Sequence, residues 1–490
     1  MKLDSPTEMD ASALSQALHT RRLRCVDLMQ AYLQQWARHN PGCNALIQLR
    51  PADALLDEAR ACDIELDAGR SRGWLHGLPQ AIKDTSAVAG MPTTFGCRAL
   101  AGNVAAQDSV MTARMRAAGA IIVGKTNVPE FGLGSHTFNE LYGLTRNAWD
   151  PAVTAGGSSG GASAALALRM LPVADGSDFM GSLRNPAAWH NLFGLRPSQG
   201  LVPFGPGPEV WISQLGTEGP LARSVRDLAR LLATQAGHDA RVPLSWSEPA
   251  LAGLAQQLPA DAAALKGVRI GWWGDLGGHL ATEPGILQAC EGALARFASA
   301  GAQVQALAPN FDPEAVWSSW LVWRQALTSP RIAAVLALPG ARELVKPEAQ
   351  WEHAQGQALD FARFELACQQ RSAFLQQMLQ QFAQVDLIAL PAAQVWPFPV
   401  EQRWPRVVAG RPMDTYHRWM EATIYATLAG APAVSVPAGF DATGRWPMGL
   451  QLIAAPRADA ALLRWVAAYE HLIGDWLALR PPALDAATGA

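Results

Sequence analysis

Apolar positions along this chain switch repeatedly between helical and strand spacing. Asp10 heads "DASALSQAL" as a capping residue. In "VDLMQAYLQQWARH", Val26, Leu28, Met29, Tyr32, Leu33 and Trp36 recur at helical steps, so residues 10–38 predict two helices. "HGLPQAIKDTS" is a short apolar run closed by polar residues and predicts a strand ending at Lys83. "SVMTARMRAAGAIIVGKTN" predicts a helix and then a buried strand at Ala120–Val123. The alternation returns in "LKGVRIGWWG" (strand), "EPGILQACEGALARFASAG" (helix stopped by Gly301) and "QVQAL" (strand). A Trp-rich helix, "EAVWSSWLVWRQAL", sets Trp317, Trp320 and Arg324 on one face, either packed on the body or walling a substrate cleft. A long helix is expected from about Gln355 to Gln384, then a buried strand in "VDLIALPAAQVWPFPV". "APAVSVPAGF" and "MGLQLIAAP" predict two strands around the turn "DATGRW". Helices alternating with short apolar runs point to an α/β fold with a mostly parallel sheet. No internal repeat and no long polar linker divides the chain.

Composition narrows the class. Of 490 residues, 49% are hydrophobic and 17% charged, enough for a large core and too apolar for disorder. A formal net charge of -3 offers no basic surplus for a phosphate backbone, so nucleic acid is not expected as a partner. Cys25, Cys43, Cys62, Cys97, Cys290 and Cys368 are scattered without a CxxC pair. That spacing gives no zinc or disulfide framework and fits a reducing compartment. Lys2 has no apolar run behind it, and no stretch has the length and apolarity of a membrane span. A cytoplasmic protein with no membrane partner is expected.

The chemistry gathers in two small-residue loops. "TAGGSSGGAS" lacks the lysine of a phosphate-binding loop, the next cation being Arg169, and it lacks the acidic residue of a dinucleotide site. It runs straight into the helix former "ASAALALRML", so it reads as a tight turn rather than a linker. "DGSDFMGSLRNP" offers Ser177 and Ser182 among glycines, where successive backbone N–H groups can hold an oxyanion. A serine nucleophile needs a base, and no histidine forms a motif with these loops; His190 reads as structural. Lys83, at the end of an apolar strand, is the lysine best placed for burial, which disfavours its charged form and frees it to take a proton.

These segments resemble the amidase signature family of serine amide hydrolases. "HGLPQAIKDT", "GKTNVPEFGLGS", "LYGLTRNAWDP", "AGGSSGGASAALA", "DGSDFMGSLRNPAAWHNLFGLRPS", "GTEGPLARSVRDLA" and "APAVSVPAGF…PMGLQLIAAP" carry the resemblance, in this order, from about residue 10 to 475. The resemblance implies an α/β fold with a large mixed central β-sheet covered by helices on both faces. It implies an N-terminal helical segment (1–64) packed on a single amidase domain (65–485), with a helical, Trp-rich insertion at about 310–385. It also implies a Ser–Ser–Lys triad: Ser182 as nucleophile, Ser158 as proton shuttle beside a cis Gly157–Ser158 bond, and Lys83 as base. Backbone N–H groups of Phe179, Met180, Gly181 and Ser182 would hold the oxyanion, while Ser159, Asp178 and Arg184 support the loops. No metal and no cofactor is implied.

One departure bears on substrate. The family usually has a small or branched residue and then glycine before "GS", whereas this chain has Phe179-Met180. The N–H donors survive that change, but the side chains must go somewhere, and at least one is expected to line the acyl pocket. With Trp317 and Trp320 as further pocket candidates, the expected substrate is an apolar or aryl amide. This weighs against the glutamine-hydrolysing component of transfer-RNA amidotransferases. A carbamate or ester hydrolase with the same triad is the alternative. A more distant one is a non-catalytic, amidase-like binding subunit. The expected partners are a small-molecule amide or carbamate and water. Without coiled-coil heptads, the chain is expected as a monomer or homodimer.

Overall fold

The computed structural model describes residues 5–485; Lys2 and the rest of the first four residues lie outside them. Near the N-terminus, helices α1 (Ala11–His19), α2 (Cys25–Cys43) and α3 (Ala52–Asp67) precede a small sheet. As expected, the Asp10 carboxylate caps α1, accepting the Ala13 N–H at 2.6 Å. The small sheet has the order β1 (Leu46–Ile47), β3 (Ile121–Thr126), β2 (Pro79–Lys83), with β2 and β3 parallel and Lys83 opposite Thr126. Helix α4 (Val110–Ala117) leads into β3. A ribbon of β4 (Phe138–Asn139) and β5 (Gly143–Leu144) follows, then α5 (Gly160–Ala167).

The main sheet is built from β6 (Ala174–Asp178), β7 (Phe193–Arg196), β8 (Thr217–Ala222), β9 (Arg269–Trp272), β10 (Gln303–Ala306), β11 (Leu387–Pro391) and, after the small ribbon β12 (Val407–Val408) and β13 (Arg411–Pro412), the long hairpin β14 (Ala433–Phe440) and β15 (Pro447–Ala454). Its spatial order is β10-β9-β11-β15-β14-β7-β8-β6. Only β10–β9 and β9–β11 are parallel; the remaining neighbours are antiparallel, so the sheet is mixed rather than mostly parallel. The alternation of helix and strand marks the elements but not their direction. Strands joined without a crossover helix, such as β14 and β15, pair antiparallel through a turn. That turn is the predicted one: the Asp441 carboxylate accepts the N–H groups of Arg445 and Trp446, both at 2.7 Å.

The strand sequences explain why helices cover both faces. In β11, Leu387 and Ala389 belong to one apolar cluster while Ile388 and Leu390 belong to another. The same period-2 division runs through the end of β15, where Leu450, Leu452 and Ala454 belong to the first cluster and Ile453 to the second. The first cluster takes in α1–α3, α7 (Val225–Gln235), α8 (Ile286–Ser299) and α13 (Asp459–Glu470). The second takes in α9 (Pro313–Leu336), α11 (Phe361–Phe382) and α12 (Ile424–Ala429). The expected single helix at 355–384 is two: α10 (Pro347–Gln357) ends, and Asp360 starts α11 by accepting the Arg363 N–H at 2.7 Å. A side-chain cap here outweighs an apolar pattern that runs across the break. No helix among the described residues is long and apolar enough to cross a membrane.

Candidate active site

The carboxyl end of β2 delivers Lys83 into a fully buried position between the two serine loops. Its Nζ lies 2.8 Å from Ser158 Oγ, 2.8 Å from Ser159 Oγ, 2.9 Å from Ser177 Oγ and 3.2 Å from Ser177 O. Burial pushes the Lys83 amine down to about 7, against the pull of Asp178, Asp175 and, when ionised, Glu218 towards the charged form. A neutral amine has a lone pair for a hydroxyl proton, which an ammonium lacks.

Ser158 sits in the turn immediately before α5, after a cis Gly157–Ser158 bond. The turn needs its small residues. A Cβ on Gly156, which has φ +71°, would stand 2.8 Å from Asn185 Oδ1. Thr137 Oγ1 donates to Gly156 O at 2.8 Å, and Ser135 Oγ donates to Gly157 O. Ser159 ties the two loops together, since its N–H donates to Ser182 O at 3.2 Å. Its hydroxyl is packed against Lys83 and Ser177 rather than facing outward.

Ser182 is held between β6 and α6 (Arg184–Ala188). Gly181 precedes it with φ +80°, and a Cβ there would meet Thr423 Cγ2 at 2.5 Å. Asp178 organises the loop. Its Oδ1 accepts from Gly181 N at 2.9 Å and Arg184 Nη2 at 2.8 Å, and its Oδ2 accepts from Leu183 N at 3.2 Å and Arg184 Nε at 3.0 Å. Burial opposes its charge, yet the Arg184 and Arg196 guanidiniums hold it well below the usual carboxylate range. Both Asp178 and Arg184 are fully buried. Arg184→Ala therefore leaves a buried carboxylate with only Arg196 Nη1, 3.6 Å away, as a cation. The expected loss, read by urea unfolding, is about 3–5 kcal/mol.

The expected oxyanion donors divide. Gly181 N–H is directed at Asp178 and is a correction to the set. The N–H groups of Phe179, Met180 and Ser182 have no protein acceptor among the described residues. Ser158, Ser182, Phe179 and Met180 line one open cavity, a space of about 890 Å³ with the open solvent at its mouth included. Ser182 Oγ likewise makes no hydrogen bond within the described residues; it lines the same cavity as Ser158, whose Oγ is in contact with Lys83 Nζ.

Trp317 and Trp320 do not line this cavity, contrary to expectation. Both are buried in the second apolar cluster, and Trp320 backs Phe179 with ring centroids 5.1 Å apart. Their helix does wall the cavity, but through Arg324, Leu327, Thr328, Arg331 and Ile332, farther along α9. Helical periodicity identified the face without saying which turn reaches the site. Arg324 was on that face and is spent internally: its Nε lies 2.6 Å from Glu352 Oε1 and its Nη2 2.6 Å from Tyr416 OH. His190 bridges backbone, with Nδ1 2.9 Å from Pro186 O and Nε2 accepting the Ala148 N–H at 3.3 Å, just past the end of α6. Asp175 and Glu218, buried beside Lys83, carried no signal of this in the sequence, since β6 reads ADGSD and β8 TEGPLA and neither is an apolar run. The six cysteines are free thiols, and no three His, Cys, Asp or Glu side chains among the described residues converge as a metal site.

A family model described as Amidase matches residues 27–463. An acylamidase from Rhodococcus erythropolis is 34% identical over 497 aligned residues, covering 97% of each chain. The A subunit of the glutamyl-tRNA(Gln) amidotransferase from Rhodococcus erythropolis strain PR4 is 32% identical, covering 96% of this chain and 98% of its own. Among solved structures, a bacterial aryl acylamidase of the amidase signature enzymes superposes with a TM-score of 0.87 at 26% identity, over 96% of this chain and 99% of its own.

Proposed function

Because the chain belongs to the amidase signature family of amide hydrolases, we propose that it cleaves apolar or aryl amides through an acyl-enzyme on Ser182, with Ser158 as proton shuttle and Lys83 as base. The carrying observation is the 2.8 Å contact between buried Lys83 Nζ and Ser158 Oγ at the wall of a cavity that Ser182 shares. Neutral Lys83 takes the Ser158 proton as Ser158 takes that of Ser182. Ser182 Oγ then attacks the carbonyl carbon, and the oxyanion faces the N–H groups of Phe179, Met180 and Ser182. Ser158 returns a proton to the departing nitrogen, and water repeats the sequence on the acyl-enzyme. The same steps accommodate a carbamate or an ester.

The relatives named as amidotransferase subunits raise a competing reading, glutamine hydrolysis within a larger assembly. The cavity wall argues against it. Phe131, Leu133, Phe179, Phe204, Leu327 and Ile332 make it largely apolar, and the only carboxylate on it among the described residues, Asp178, is locked to Arg184. A glutamine ammonium group would find no free carboxylate there. The likeness to an aryl acylamidase agrees with an aryl amide substrate.

A chromogenic panel of anilides, aliphatic amides, carbamates and esters tests the assignment, with hydrolysis of apolar anilides fastest among the amides. Glutaminase activity exceeding it would contradict the proposal. Phe179→Ala should lower kcat/KM for a bulky aryl-acyl anilide by roughly 10-fold or more while an acetyl anilide changes far less, because the lost ring contact is with the larger acyl group.

A further inference from the structure

One face of the β6–β8 pair carries three polar side chains behind the lysine. Ser177 stands directly opposite Glu218, and Asp175 is two residues away on the same face. Asp175 and Glu218 are both fully buried. Asp175 Oδ2 accepts the backbone N–H of Lys83 at 3.1 Å, and Glu218 Oε1 accepts the Ser86 hydroxyl. The two remaining oxygens, Asp175 Oδ1 and Glu218 Oε2, are buried without any hydrogen-bond partner. An unpartnered buried carboxylate oxygen is costly, and two like charges at neighbouring positions of one strand pair cost more. A proton on one of the two acids removes the like-charge penalty.

The surrounding charges point the same way. Lys125 Nζ lies 3.7 Å from Asp84 Oδ1, which offsets it. Arg184 and Arg196 together exceed Asp178 by one positive charge, which an ionised Asp175 balances. A neutral Glu218 then goes with a neutral Lys83; an ionised Glu218 would be balanced by a Lys83 ammonium. The other elements against β8 add nothing to this count. Helix α5 has no titratable side chain, and the α7 carboxylate Asp227 is given to the N–H groups of Ala11 and Ser12. On α7, Arg230 lies over the Trp74 ring and Arg226 is exposed, while Arg196 of β7 donates to Asp178 O and Leu215 O.

We infer that Glu218 is a positioning residue: it is held as the neutral carboxylic acid beside the ionised Asp175, and thereby leaves Lys83 free to be the neutral amine. Burial acts in this direction on both acids, pushing Glu218 up to about 8 and Asp175 up to about 6. The functional part of the inference rests on Lys83 being the base; the protonation part does not.

The two parts are tested separately. Infrared spectroscopy of the substrate-free protein at neutral pH should show a protonated-carboxyl C=O band. That band should shift in D2O and on carbon-13 glutamate labelling, and should be absent from Glu218→Gln. Absence of a labelled glutamate band is readable without any variant, whereas Glu470, which burial also raises to about 7, makes the assignment of a band to Glu218 depend on Glu218→Gln. No such band, as expected if both carboxylates are ionised around a trapped water, overturns the inference whatever the activity. In the kcat/KM profile, Asp175→Asn removes a negative charge and should move the acid limb down by about one pH unit. Glu218→Gln, which mimics the neutral acid, should leave the position of that limb where it is. A downward shift in Glu218→Gln would mean that Glu218 is ionised and would overturn the inference. The band present in a protein that hydrolyses no amide would instead defeat the proposed function.

Discussion

Ser182→Ala is expected to lower kcat for an anilide substrate by about 10⁴-fold or more, because it removes the atom that forms the acyl-enzyme and no neighbouring group can replace it. The other candidate hydroxyls are committed: Ser158, Ser159 and Ser177 all contact Lys83 Nζ within 2.9 Å. The loop should survive the change. Its shape comes from Asp178, which binds Gly181 N, Leu183 N and Arg184 without using the Ser182 side chain. Substrate binding should therefore persist with KM little altered, and the loss should fall on kcat. Single-turnover kinetics with a chromogenic anilide would show the acylation burst in the wild type and its disappearance in the variant.

Lys83→Met should cost about 10²–10⁴-fold in kcat/KM, the range for removing a positioned general base. Methionine keeps most of the buried stem and so separates loss of the amine from loss of packing. The pH dependence gives the sign. The amine is active when neutral, and burial brings it down to about 7. kcat/KM should therefore rise with pH through an apparent pKa near that value and fall tenfold per unit well below it. In Lys83→Met the residual activity should lose that limb. A wild-type profile flat from pH 6 to about 9 would mean that Lys83 is not the titrating base.

Much of the site was legible because its signals are local. An apolar run ending in a lone lysine marked Lys83, and the family resemblance carried by two Gly/Ser loops in fixed order singled out Ser158 and Ser182. The acid–base pair Asp178 and Arg184 flanks the nucleophile loop and does pair across it. What escaped depends on contacts distant in sequence. Strand direction in the main sheet follows from which strands meet, not from their own patterns. The pairing of β6 with β8, which puts Glu218 behind Lys83, joins segments whose sequences carry no mark of one another. Trp317 and Trp320 were on the right helix but a turn too early: bulk and apolarity suit a pocket wall and a core equally, and here the core took them. Gly181 was expected among the oxyanion donors from its place beside the nucleophile, and only the fold reveals that Asp178 takes its N–H.

In the proposed mechanism Ser182 is the activated nucleophile, and covalent labelling tests this most directly. The protein treated with a sulfonyl fluoride, digested and mapped by mass spectrometry should carry the label on Ser182 in proportion to lost activity, with labelling strongly slowed in Lys83→Met. An unlabelled Ser182 in a protein whose Ser182→Ala variant retains full amide hydrolysis would contradict it.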